Sequence, residues 1–111
     1  MMKTHIKNAD VPLEKLDDKI SRKIMGYDTD LMLVWVQFKK GGVGATHAHP
    51  HQQVTYVEKG KFEVTIDDKT EVLVEGDAFV VPSNAPHGAV CLEDGVLIDT
   101  FSPMREDFVN K

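Results

Sequence analysis

Between Ile20 and Ser102 the chain is a succession of short apolar-rich runs, cut every few residues by Gly, Pro, Asn or Asp. That punctuation holds each run to the length of a strand and leaves little helical periodicity. The clearest run is Lys61–Asp67, where Phe62, Val64 and Ile66 alternate with Lys61, Glu63 and Thr65. This is the two-residue period of a strand with one buried face. Further runs are Ile20–Met25, Leu31–Lys39, Thr46–His49, Gln53–Glu58, Lys69–Val74, Ala78–Val81, His87–Leu92 and Val96–Ser102. Gly60 is expected to make a tight turn into Lys61, and Asp67-Asp68 another into Lys69. One helical turn is available to Leu13, Leu16 and Ile20 after Pro12. Eight or nine short strands at regular spacing predict an all-β fold, a closed sandwich or barrel.

Length and charge bound the rest. With 111 residues, 41% of them hydrophobic, the chain is expected to form one domain over residues 1–111, with its barrel at about 20–102. The net charge of −5 and the absence of a basic cluster argue against a nucleic-acid partner. The longest apolar stretch, Leu31 to Val36, is far too short for a bilayer, and Met1–Asp10 is polar rather than signal-like. Cys91 is the only cysteine, so no intrachain disulfide is possible and a cytoplasmic home is expected. It reads as a small buried hydrophobe, since no motif frames it as a nucleophile.

The chemistry concentrates around residue 50. His47-Ala48-His49 follows Gly41-Gly42 and Gly44, and Gln53 comes four residues later, giving G-x5-H-x-H-x3-Q-x6-G from Gly41 to Gly60. Side chains two apart leave one face of a strand, so two imidazoles there can close on one cation. A second segment, Gly76 to Cys91, adds His87 after Pro82 and Pro86. His47, His49, Gln53 and His87 are thus expected to hold one divalent metal ion of borderline softness, such as nickel, zinc, iron, manganese or cobalt. His51 matches His49 in parity, but Pro50 separates them, so it is expected to support the site or face solvent. His5 lies in the polar N-terminal stretch, away from this constellation.

Strand parity places Gln53 with Thr55 and Val57 on an inward face, and Asp99 with Leu97 and Phe101. In Leu31–Phe38 both parities are apolar, so cover on both faces is expected. In so small a chain the second cover argues for a homodimer, the alternative being the N-terminal segment folded over it.

These two segments resemble the paired signature motifs of the cupin superfamily. Gln53 stands where the usual glutamate would be; in the second motif Asn84 replaces a glycine and Cys91 an asparagine. The resemblance implies a double-stranded β-helix, the small jelly-roll barrel of that superfamily. A narrower resemblance joins His47-Ala48-His49-Pro50-His51-Gln52-Gln53 to the stretch from Asp99 to Phe108. It points to the cupins of pectin and alginate breakdown that linearise 4,5-unsaturated monouronates. It implies three histidines and a glutamine on the metal (His47, His49, His87 and Gln53), with Asp99, Phe101 and Arg105 acting on a small anionic sugar. Asp99 then serves as general acid and base, Phe101 as an apolar wall, and Arg105 or Arg22 as the carboxylate partner. Structural roles stand beside each: Asp99 bonded to a histidine N–H, Phe101 in plain core packing, Arg105 in a surface ion pair with Glu106 or Asp107. Two other functions fit the motifs, a cupin-type metal-dependent dioxygenase and a non-catalytic sugar-binding cupin.

Overall fold

Alternation becomes burial almost residue for residue. In a computed structural model, which describes residues 3–110, eight strands form an antiparallel array. They are β1 (Glu14–Lys15), β2 (Ile20–Asp28), β3 (Leu31–Phe38), β4 (Val43–His47), β5 (Gln52–Ile66), β6 (Lys69–Val74), β7 (Ala78–Val81) and β8 (His87–Ser102). A single turn of 3-10 helix, Asn8–Asp10, precedes them and a four-residue helix, α1 (Glu106–Val109), follows. The structure is thus all-β, as the sequence predicts. Leu13, Leu16 and Ile20 form no helical turn: β1 lies in that segment and pairs with β2.

Two pairs of runs expected as separate strands are continuous. Gln53–Glu58 and Lys61–Asp67 join into β5, and His87–Leu92 and Val96–Ser102 join into β8. Gly60 therefore makes a bend within a strand rather than a tight turn. The register between β5 and β8 slips from Val57 to Phe62, where Gly60 (φ +92°) faces Gly95. A Cβ on Gly95 would run into the Lys59 carbonyl and the Phe62 ring, so the backbones approach there as only glycine allows.

That bend splits the array into two halves. The first half of β5 pairs with the end of β8 and with β7, and β8 carries on to β3, β2 and β1. The second half of β5 pairs with β6 and with the start of β8, which is flanked by β4. Between the halves lies a core of Met32, Val34, Val36, Phe38, Val57, Phe62, Val64, Val81, Leu97 and their neighbours. Cys91, 1% exposed, belongs to it, and burial pushes its thiol pKa up, which suits an inert core residue.

Strand β3 is covered on one face only within this chain. Met32, Val34, Val36 and Phe38 are buried, whereas Leu31 and Leu33 stay 60% and 38% exposed. The N-terminal segment covers part of the outer surface beside them: Ile6 lies against Gly26, and Lys23 bonds the Asn8 carbonyl while its ammonium sits 5.7 Å from the Trp35 ring centre. Among the described residues no helix is long and apolar enough to cross a membrane.

Candidate metal centre and cavity

The strand containing the His-x-His pair ends earlier than its alternation suggests. β4 stops at His47, and His49 lies beyond it in the segment leading to Pro50. Convergence survives because β4 and β8 run side by side, with His47 directly opposite His87. The ring centres are 4.4 Å apart for His47 and His87, 4.8 Å for His49 and His87, and 5.4 Å for His47 and His49. One nitrogen from each ring falls within 4.8 Å of the other two.

The backbone fixes which nitrogens point inward. His47 Nδ1 lies 2.9 Å from the Ala45 carbonyl, His49 Nδ1 2.9 Å from the His51 carbonyl, and His87 Nδ1 2.9 Å from the Ala85 carbonyl. A carbonyl only accepts, so each Nδ1 carries the hydrogen, and a ring in its neutral form then presents a lone pair at Nε2. His51 thus enters the site through its backbone oxygen. Burial lowers the pKa of both His49 and His87, keeping their rings neutral.

Gln53, 6% exposed, closes the set. Its Nε2 donates to Thr55 Oγ1 at 2.8 Å, and Thr55 donates to Asp99 Oδ1 at 2.7 Å. Thr55 has one hydroxyl hydrogen, and giving it to an ionised Asp99 leaves only acceptor capacity toward Gln53. The amide nitrogen therefore faces Thr55, and Gln53 Oε1 faces His49 Nε2 at 3.1 Å. That contact takes either a hydrogen on the imidazole or a cation shared by the two acceptors. His87 Nε2 is buried with no hydrogen-bond partner among the described residues. Three converging imidazoles and an amide oxygen are a donor set that fits a cation.

Asp99 sits beside this cluster. It keeps some accessible surface, all that the cavity allows, yet burial pushes its pKa up to about 6 against the pull of Thr55 and Arg105. Its partner is a threonine; every histidine Nδ1 of the cluster goes to a backbone carbonyl instead. Phe101, 3% exposed, packs edge-to-face on His49 and on Phe108, so it is core and cavity wall together. Arg105 does pair with Asp107, through Nε and Nη2 at 2.9 and 2.7 Å, but it is 8% exposed rather than on the surface.

His47, Gln53, His87, Asp99, Phe101 and Arg105 line one cavity of about 200 Å³, a volume worth roughly seven waters. Arg22, Arg105 and Phe108 stand along its wall as well. A larger open groove of about 840 Å³ passes outside, bordered by His49, His51, Arg105 and Asp107. The inner cavity is where His47, Gln53 and His87 meet Asp99, with His49 on the side of the outer groove.

Sequence reasoning named Thr55 only as an inward neighbour of Gln53 and passed over Phe108. Parity could have exposed Thr55, since a threonine flanked by inward Gln53 and Val57 must find a partner. Asn84, where the signature has glycine, adopts φ +66°, a left-handed conformation that asparagine tolerates better than most residues.

This is the architecture of a small β-barrel that carries a candidate metal site, and comparison with known proteins agrees on the fold. The cupin-domain family profile matches residues 34–100, and the chain belongs to the cupin family. It is 46% identical to the pectin degradation protein KdgF of Dickeya dadantii (strain 3937), over 97% of this chain and all of that one. Among solved structures, KdgF from Halomonas sp. superposes with a TM-score of 0.92 at 41% identity, covering 96% of this chain and 99% of that one. An RmlC-like cupin from Shewanella frigidimarina NCIMB 400 superposes with a TM-score of 0.91 at 44% identity, covering 96% of each chain.

Proposed function

We propose that this protein takes part in pectin or alginate breakdown by converting 4,5-unsaturated monouronates into linear keto sugars, as a metal-dependent ring-opening isomerase. The likeness to a pectin degradation protein along nearly the whole chain supports the setting. One observation carries the chemistry: a buried carboxylate, Asp99, lines the same small cavity as the acceptor cluster and is joined to it through Thr55.

His47, His49, His87 and Gln53 would hold one divalent ion, which when bound supplies Lewis-acid polarisation of a substrate oxygen. With four neutral ligands the ion keeps its full charge, which favours an anionic, oxygen-rich substrate. The reaction conserves every atom. The C1 hydroxyl loses its proton, the bond from C1 to the ring oxygen breaks, C4 gains a proton, and C5 becomes a carbonyl. Asp99 takes the first proton and returns it at C4. Burial favours the protonated form of Asp99 and a neighbouring cation the ionised form, the two states the two steps require. Phe101 walls the cavity and excludes water, while Arg105, held by Asp107, places its guanidinium at the edge.

The test is to add unsaturated monouronate to the metal-loaded protein and follow the absorbance of the conjugated double bond. Accelerated loss is expected, and Asp99→Asn abolishes it with metal content unchanged. Decay no faster than the spontaneous reaction rules the activity out, and oxygen uptake in the same sample replaces it with dioxygenase chemistry.

Two further parts of the reading concern surroundings. The lone, buried Cys91 supports a cytoplasmic home. A homodimer is supported by the outer sheet face, where Leu31, Leu33, Val54, Tyr56 and Val80 lie between 38% and 61% exposed.

A further inference from the structure

The cavity is lined by two arginines, and their hydrogen bonds are not equivalent. Arg105 spends Nε and Nη2 on the Asp107 carboxylate. Arg22, on the inner face of β2 opposite Val36, spends only Nε, donating to Glu14 Oε1 at 2.6 Å. Its two terminal nitrogens, Nη1 and Nη2, have no hydrogen-bond partner among the described residues, and neither is sealed from solvent. That terminal pair is the fork that grips a carboxylate with two parallel bonds.

The fork is held in place from both sides. Phe108, carried by α1, lies between the two guanidinium groups, 4.1 Å from Arg22 Cζ and 4.2 Å from Arg105 Cζ to its ring centre. Glu14 and Asp107 close the outer ends, so carboxylate, guanidinium, ring, guanidinium and carboxylate follow one another across the cavity wall. The Arg22 side chain is only 12% exposed, and its charge is opposed by desolvation and by Arg105. An incoming anion would relieve both penalties. Because each arginine already has a carboxylate, the four charges of this row cancel. The surplus that draws a substrate anion comes from the divalent ion less Asp99, while the row supplies direction.

From this geometry we infer that Arg22 is the residue that recognises the substrate's carboxylate, with Phe108 and Glu14 positioning its fork and Arg105 serving the wall. The inference rests on the uronate reading above but is tested apart from it. Titration calorimetry on the metal-loaded protein with D-galacturonate and with its neutral counterpart, D-galactose, is expected to show at least tenfold tighter binding of the acid. Arg22→Gln and Arg22→Lys should both reduce that preference at least fivefold, the lysine variant because it keeps the charge but lacks the fork, leaving only the pull of the ion. It also guards against loss of folding in the glutamine variant, which a melting curve reveals. With unsaturated monouronate as substrate, both variants should raise KM at least tenfold and change kcat less than about threefold, at unchanged metal content. A preference for the acid that is undiminished in either folded variant overturns the assignment, as does a wild-type protein that binds acid and neutral sugar alike. Wild-type protein that prefers the acid through Arg22 yet does not turn over the unsaturated sugar leaves the assignment standing and removes the proposed reaction.

Discussion

Thr55 donates its hydroxyl hydrogen to Asp99 across 2.7 Å, from the neighbouring strand and 44 residues away in sequence. The same oxygen accepts from the Gln53 amide. One fully buried threonine therefore sets both the orientation of the Gln53 amide and the position of the carboxylate proposed for proton transfer.

Thr55→Val keeps the shape and removes the link. Without the hydroxyl, the Gln53 amide is free to turn its nitrogen toward His49, and Asp99 loses its donor. Metal affinity or activity should fall about 10–100-fold, the usual cost of losing a partner behind a ligand. Leaving the buried carboxylate unpaired should cost about 1–3 kcal/mol in urea unfolding. Metal titration and denaturation of the same variant check both; a variant with wild-type metal affinity would dissolve the link.

Asp99 also makes stability depend on pH in the metal-free protein. Its pKa is raised from 3.8 to about 6 on folding, so the native state holds its proton more tightly than the unfolded chain. Its contribution is favourable below pH 4 and is lost as pH rises through 6. His49 and His87, shifted downward, act oppositely in and below the usual histidine range, so the Asp99→Asn variant is the proper reference. Between pH 4 and 6 the variant should gain on the wild type by at most about 3 kcal/mol. A difference that stays flat across that interval contradicts the desolvated carboxylate.

A bound ion should hold the barrel together. At a hundredfold excess over its Kd, a ligand adds about 2.7 kcal/mol, which for a domain near this size raises Tm on the order of 10–20 °C. Chelation should remove that increment and added metal restore it. His87→Ala should melt at one temperature with or without metal, and a metal-dependent shift in that variant would mean that His87 is not a ligand.

Gly95→Ala tests the bend. Its Cβ would collide with the Lys59 carbonyl and the Phe62 ring, and backbone cannot yield as a flexible side chain does. A loss of about 1–3 kcal/mol or more is expected in urea unfolding, with no direct effect on the acceptor cluster. Unchanged stability would mean that β5 and β8 separate there without penalty.

The outer sheet face bears on assembly. If Leu33 is covered by a second copy, Leu33→Asp should convert a dimer of the 12.4 kDa chain into monomer in light scattering. A wild-type protein that is already monomeric removes the dimer.

Much of this molecule was legible from local pattern. A two-residue period decides which side chains share a face, so Phe62, Val64, Gln53, Asp99 and Phe101 could be placed inward without coordinates. The types and spacing of His47, His49, Gln53 and His87 likewise marked a set of candidate ligands, and the fold brings a nitrogen of each of the three imidazoles within 4.8 Å of the other two. Tertiary structure decided what depends on strands distant in sequence meeting side by side. Pairing of β5 with β8 put Thr55 between Gln53 and Asp99, and three backbone carbonyls turned each Nε2 inward. A glycine pair bent β5 and β8 without breaking them, so that each serves both halves of the array, and α1 brought Phe108 between Arg22 and Arg105. Each of these turns on hydrogen bonds and contacts whose partners lie in another strand or loop, and no local periodicity encodes which strand will be the neighbour.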